Sequence, residues 1–176
     1  MPDAQKRLLE ALLKTGKPVV MVLFTGRPLK EGKWFEKFRS NYLDVSNEPL
    51  YPFGFGLSCT NFTYSPLKLS AASITATGNI TAIVTVTNSG SVKGKEVVQL
   101  YLQDVIGTST RAVKELKGFQ KIELNAGESK TVTFTISVND LKYYNADMKY
   151  VAEPGEFKVM IGGNSRDVQS ASFILQ

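Results

Sequence analysis

Ser129-Lys130-Thr131-Val132-Thr133-Phe134-Thr135-Ile136-Ser137-Val138 is the stretch that decides the fold. Val132, Phe134, Ile136 and Val138 point one way, and Thr131, Thr133, Thr135 and Ser137 the other. A period of two is that of a strand with one face in a core and one in solvent. Working outward, the same reading predicts strands near 62–70, 79–88 (Ile80, Ala82, Val84 and Val86 inward), 95–104 (Val98, Leu100 and Leu102 inward) and 113–124. Beyond the strand near 128–138 it predicts others near 147–152, 155–162 (Phe157, Val159 and Ile161 inward) and 168–175.

Turn chemistry separates these segments. Asn88-Ser89-Gly90, Asn125-Ala126-Gly127, Glu153-Pro154-Gly155 and Gly162-Gly163-Asn164 supply positive φ or a preset turn. Short strands at this spacing over ~110 residues imply a mainly β fold, an antiparallel sandwich of immunoglobulin or fibronectin type III type.

Upstream the pattern changes twice. Leu8, Leu9, Leu12 and Leu13 mark one face of a helix over 3–14, with Asp3 as cap and Gly16 as stop. Val19 to Phe24 is then a continuous apolar run, as in a strand buried on both faces of a parallel sheet. Such an orphan strand is expected to add to a sheet edge, of its own sandwich or of a second copy. From 26 to 61, Gly, Pro and aromatic residues replace periodicity, giving an ordered linker pinned by its rings. The organisation predicted is a helix-strand piece of an α/β layer over 1–25, an aromatic linker over 26–61 and a sandwich over 62–176.

Composition narrows the chemistry. The sequence holds no histidine, which removes Ser/His/Asp triads and His-containing zinc sites. Cys59 is the single cysteine, so neither an intramolecular disulfide nor a four-thiolate metal site can form; a small buried hydrophobe is its expected role. The net charge of +5 is spread through interleaved acids, with no polybasic tract, so nucleic acid is not expected as a partner. Val19 to Phe24 is far short of the ~20 apolar residues of a membrane span, and Pro2 and Asp3 do not open a signal peptide. Gly162-Gly163-Asn164-Ser165 lacks the Lys and helix of a phosphate loop, and the glycosylation patterns at Asn61-Phe62-Thr63 and Asn79-Ile80-Thr81 are read as chance. No metal and no cofactor is implied.

Asn47-Glu48-Pro49-Leu50-Tyr51-Pro52-Phe53-Gly54-Phe55-Gly56-Leu57-Ser58 resembles the segment that joins the α/β sandwich domain to the C-terminal fibronectin type III-like domain in glycoside hydrolase family 3, which holds many β-glucosidases and β-xylosidases. Val86-Thr87-Asn88-Ser89-Gly90, Gly94-Lys95-Glu96-Val97-Val98-Gln99-Leu100-Tyr101, Lys114-Glu115-Leu116-Lys117-Gly118-Phe119 and Glu153-Pro154-Gly155-Glu156-Phe157 are similar to that domain's strands, in the same order. Lys17 to Leu29 resembles a strand lying inside the family's α/β domain. One Thr25-Gly26-Arg27-Pro28 run serves where longer members have two, which implies an internal deletion.

Members of the family are retaining glycosidases, which need two carboxyl groups about 5–5.5 Å apart. The resemblance puts the nucleophile on an N-terminal barrel and the acid/base on the α/β domain, and none of the acidic residues here matches either motif. Asp44 and Glu48 are read as partners of loop backbone or Arg39. The expectation is a non-catalytic fragment of a β-glucosidase-like enzyme with a supporting sandwich. A free-standing carbohydrate- or protein-binding module and one part of a split glycosidase are the alternatives. For any contact with a β-linked glucoside or xyloside, the candidates are Trp34, Arg39 and Tyr42. The same aromatic residues also suit simple packing. The family's full-length enzymes are often periplasmic or secreted.

Overall fold

A computed structural model describes residues 10, 11, 14, 16, 49–109 and 111–176. The chain divides into two compact units, Met1–Leu50 and Tyr51–Gln176. In the first, Glu10 and Ala11 are helical, the Lys14 amide donates to the Glu10 carbonyl at 3.2 Å, and Gly16 has φ +68°. The remainder of the helix predicted over 3–14 lies outside the described residues. Val19 to Phe24 and the rest of the predicted α/β piece lie outside the described residues.

The second unit is the sandwich. One sheet is centred on β4 (Asn79–Asn88), which pairs on one side with β1 (Phe62–Tyr64) and β2 (Lys68–Leu69) and on the other with β7 (Ser129–Ser137). The other sheet runs β3 (Ser73–Ile74), β11 (Val168–Leu175), β10 (Gly155–Gly162), β5 (Gly94–Asp104), β6 (Glu115–Leu124). All pairings are antiparallel except β3 with β11.

The alternation explains the packing. Ile80, Ala82, Val84 and Val86 from β4, with Val132, Phe134 and Ile136 from β7, meet Val98, Leu100, Leu102, Phe157, Val159, Ile161 and Phe173 in one cluster. Full burial stabilises each such side chain by about 1.5–3 kcal/mol. On the solvent side, Thr85 faces Thr131 and Thr87 faces Ser129 across the ladder, the latter hydroxyls 2.7 Å apart.

Three boundaries differ from the sequence reading. The strand near 62–70 is two short ones, because Pro66 has no amide to continue the ladder; the Ser65 hydroxyl accepts from Thr85 N instead, at 2.9 Å. The strand near 128–138 stops at Ser137, whose amide and hydroxyl both donate to the Asp140 carboxylate (2.8 and 2.7 Å) and start the one-turn helix α1, Val138–Leu141. The segment near 147–152 narrows to β9 (Tyr150–Val151), paired with an unforeseen β8 (Tyr143–Tyr144). β3 was also unforeseen, since two residues carry no period.

Candidate functional site

Strand β5 runs the length of the sandwich, and polar groups collect at its start, its middle and its finish. At the start lies Asn88, fully buried. Its Oδ1 accepts from Thr60 Oγ1 (2.6 Å) and Gly90 N (3.1 Å), and its Nδ2 donates to the carbonyls of Val92 (2.8 Å) and Leu124 (3.1 Å). A Cβ on Gly90 would stand 2.1 Å from Thr60 Oγ1, so the glycine is required by close approach. Every hydrogen-bonding position of this amide is filled.

In the middle, Gln99 and Tyr101 occupy the face of β5 opposite the core, yet both are buried. The Tyr101 hydroxyl donates to Gln99 Oε1, and Gln99 Nε2 donates to the Gly163 carbonyl at 2.6 Å. The linker closes over this point. Gly54, at φ +79°, sits where a Cβ would fall 2.2 Å from Gln99 Nε2, and Ser165 N donates to the Phe53 carbonyl at 2.8 Å. The linker is therefore fastened by backbone and by the buried Pro52, whereas Tyr51, Phe53, Phe55 and Leu57 remain exposed. Over Tyr51 to Leu57 the rings therefore do not pin the linker to the sandwich; its residues 26–48 lie outside the described residues.

At the finish, the 104–113 loop gathers charge. Asp104 and Arg111 approach to 3.7 Å with side chains 3% and 11% exposed, but Asp104 Oδ2 and Arg111 Nη1 make no hydrogen bond. Arg111 Nη2 binds Glu115 at 2.9 Å, and Lys117 holds the other Glu115 oxygen at 2.8 Å. The Arg111 guanidinium lies 4.0 Å over the Tyr143 ring. Thr108 Oγ1 bonds Glu153 (2.6 Å) and Tyr143 (3.0 Å), joining the loop to the β8–β9 hairpin. Burial pushes the Asp104 carboxyl up despite Arg111. Burial also acts to raise Glu115, but Lys117 and Arg111 outweigh it and hold that carboxyl below the usual glutamate range. A cavity of about 340 Å³ opens beside this loop, lined by Gln103, Asp104, Ser109 and Arg111 among others.

Trp34, Arg39 and Tyr42 lie outside the described residues, as do Asp44 and Glu48. Cys59 is exposed rather than buried, because it stands in the bend before β1, where Thr60 alone turns inward. The loop cluster was missed in the sequence. Its one legible trace is the Lys114-Glu115-Leu116-Lys117 run of charge at the entry to β6.

Two packed sheets with these connections define an immunoglobulin-like β-sandwich. Residues 96–165 match the family described as the fibronectin type III-like domain, and the sandwich is such a domain. The periplasmic β-glucosidase of Salmonella typhimurium is 39% identical over 238 positions, which take in 99% of this chain and 31% of that protein. A β-xylosidase of Formosa agariphila is 35% identical over 230 positions, 98% of this chain and 32% of that one. The crystal structure of a β-glucosidase from Listeria innocua in complex with isofagomine superposes with a TM-score of 0.76 at 40% identity, covering 86% of this chain and 21% of the other. The chain thus resembles the β-glucosidases and β-xylosidases of glycoside hydrolase family 3 in both sequence and fold, and it spans a third or less of the length of these relatives.

Proposed function

We propose that this chain is a non-catalytic fragment of a β-glucosidase-like glycoside hydrolase, in which the fibronectin type III-like sandwich supports a catalytic part contributed by other sequence. The observation that carries the reading is the segment from Tyr51 to Leu57. Its backbone is fastened to the sandwich by the bond from Ser165 N to the Phe53 carbonyl and lies close against Gln99 at Gly54, while four large apolar side chains face outward, the form of a seam prepared for further protein. The carboxylates around the 104–113 loop support the same reading: Glu115 and Glu153 are taken up by Arg111, Lys117 and Thr108, and Asp104 is buried.

The alignment lengths support the internal deletion as well. Since 99% of this chain is 174 residues, about 64 of the 238 positions shared with the Salmonella enzyme hold a residue of that enzyme alone. By contrast, a second Formosa relative, 49% identical over 139 positions, needs no such excess for 79% of the chain. The source locus tests it: an open reading frame carrying the extra stretch would overturn the deletion.

Assay of the chain alone on a chromogenic β-glucoside tests the main claim. No turnover above background is expected, and clear turnover would overturn it. Adding the chain to the Listeria enzyme stripped of its own matching segment should raise that enzyme's unfolding temperature, and Phe53→Ser with Phe55→Ser should abolish the rise.

A further inference from the structure

The two packed sheets have four edges among the described residues, and three of them are blunted. On one edge β1 and β2 are three and two residues long, with Pro66 between them, and on another β3 has two residues. β6 is long, but it carries Glu115, Lys117, Lys121 and Glu123, and its register with β5 shifts between Leu100 and Tyr101. Short strands, proline, charge and bulges are the devices that keep a sheet edge from pairing with another chain. β7 has none of them. Its nine residues run in unbroken register along β4, without glycine or proline and with Lys130 as the single charge.

The groups that this edge presents follow from the ladder. An antiparallel strand turns the N–H and C=O of one residue to one side and those of the next residue to the other. On β4, Thr81 and Thr85 bond Ser70 and Ser65 on the side away from β7. Their ladder partners Thr135 and Thr131, and Thr133 between them, therefore turn their own N–H and C=O outward. Gln120 Nε2 reaches across from β6 and donates to the Thr133 carbonyl at 2.7 Å. The described residues supply no other hydrogen bond to these backbone groups.

We infer that the β7 edge is a self-pairing surface, to which a second copy of this chain adds its own β7 antiparallel, and that Gln120 is its guard. The occupant is a second copy because the strand is complementary to itself. Pairing centred on Phe134 lets Thr133 and Thr135 exchange both ladder bonds, sets Thr131 against Ser137, and continues the core side with Val132 against Ile136. It also carries the two Lys130 side chains to opposite ends of the contact. Phe134 is 7% exposed where Val132 and Ile136 are 1%, so the ring at the centre of this row is the part still open to a neighbour. Each copy must first withdraw Gln120 from the Thr133 carbonyl, and that exchange keeps the pairing weak. The supporting role proposed above concerns Tyr51 to Leu57 and stands or falls separately.

Sedimentation of the intact chain over a range of concentrations provides the test. A reversible dimer is expected, with a dissociation constant of about 0.1 mM because the contact is small. Gln120→Ala should tighten it about tenfold, since no bond is then given up. Thr133→Lys should abolish it, and Phe119→Ala, which removes an exposed ring on β6, should leave it unchanged. Hydrogen exchange of the unaltered protein gives a reading that no variant's folding can disturb. As concentration rises, the amides of Thr131, Thr133 and Thr135 should slow, while those of Val132 and Phe134, already turned to β4, should not change. A chain that stays monomeric even with Gln120→Ala, a dimer that survives Thr133→Lys or is lost with Phe119→Ala, or slowing that misses the three threonine amides would each overturn the inference.

Discussion

The two ends of β5 solve the same problem in opposite ways. Near Gly94, one neutral amide, Asn88, is buried completely and satisfied completely, by a hydroxyl, an amide and two carbonyls. Near Asp104, a full ion pair is buried almost as deeply, and each partner keeps an atom without a hydrogen bond. Most of the desolvation of the first is returned by its bonds. In the second, attraction at 3.7 Å offsets only part of the cost of removing two charges from water. The difference teaches that the Asn88 end serves stability, whereas the Asp104 end tolerates a cost to hold a loop and a hairpin in place.

The largest effect is therefore expected at the satisfied end. Asn88→Ala strands the Thr60 hydroxyl, the Gly90 amide and the carbonyls of Val92 and Leu124, and should lower the unfolding free energy by about 4 kcal/mol in urea titration. A loss smaller than that at the charged end would break the contrast between the two ends. Arg111→Met alone should cost about 3 kcal/mol, because Asp104 is left buried and unpaired. Asp104→Leu with Arg111→Met should cost much less than the single change, with a coupling that the double-mutant cycle reads directly. No such recovery is available at Asn88, whose partners are mostly backbone and cannot be replaced.

Acidity sharpens the comparison further. The folded carboxyl of Asp104 is raised by burial, so the folded chain holds more protons there, and its contribution to stability falls as pH rises through that window. Glu115 is lowered, so its contribution is present above the ordinary glutamate value and lost as pH falls through the folded one. Asp104→Asn should abolish the first dependence and retain the second in unfolding curves taken from pH 3 to 7. The smallest effect is expected at Cys59: it should react stoichiometrically with a thiol reagent without denaturant, and Cys59→Ser should leave stability within about 0.5 kcal/mol.

Much of the sandwich was legible because strands such as β4 and β7 are long enough for the period of two to show, whereas in β10 it shows only at Phe157, Val159 and Ile161 before both faces are buried. Elements of two residues, such as β3, β8 and β9, have no period to read. The Asp104 end was illegible for a different reason. Arg111 meets Tyr143 and Thr108 meets Glu153 only after the chain has turned back from thirty or more residues away, and no local pattern announces those meetings. Cys59 was misjudged from residue type, which says little in a bend that follows a run of exposed residues from Phe53 onward. The candidates Trp34, Arg39 and Tyr42 rest on the resemblance alone.

The parallel pairing of β3 with β11 sets an order of events. Ser73 and Ile74 have Ile174 and Leu175 as ladder partners, with Ile174 N donating to the Ala72 carbonyl and Gln176 N to that of Ile74. About a hundred residues must be synthesised and gathered before β3 finds its neighbour, and closing so long a loop is slow. During translation the sheet's edge strand would wait while β4 and β7 form, so a ribosome stalled before β11 would display a half-closed sandwich with its core open to chaperones.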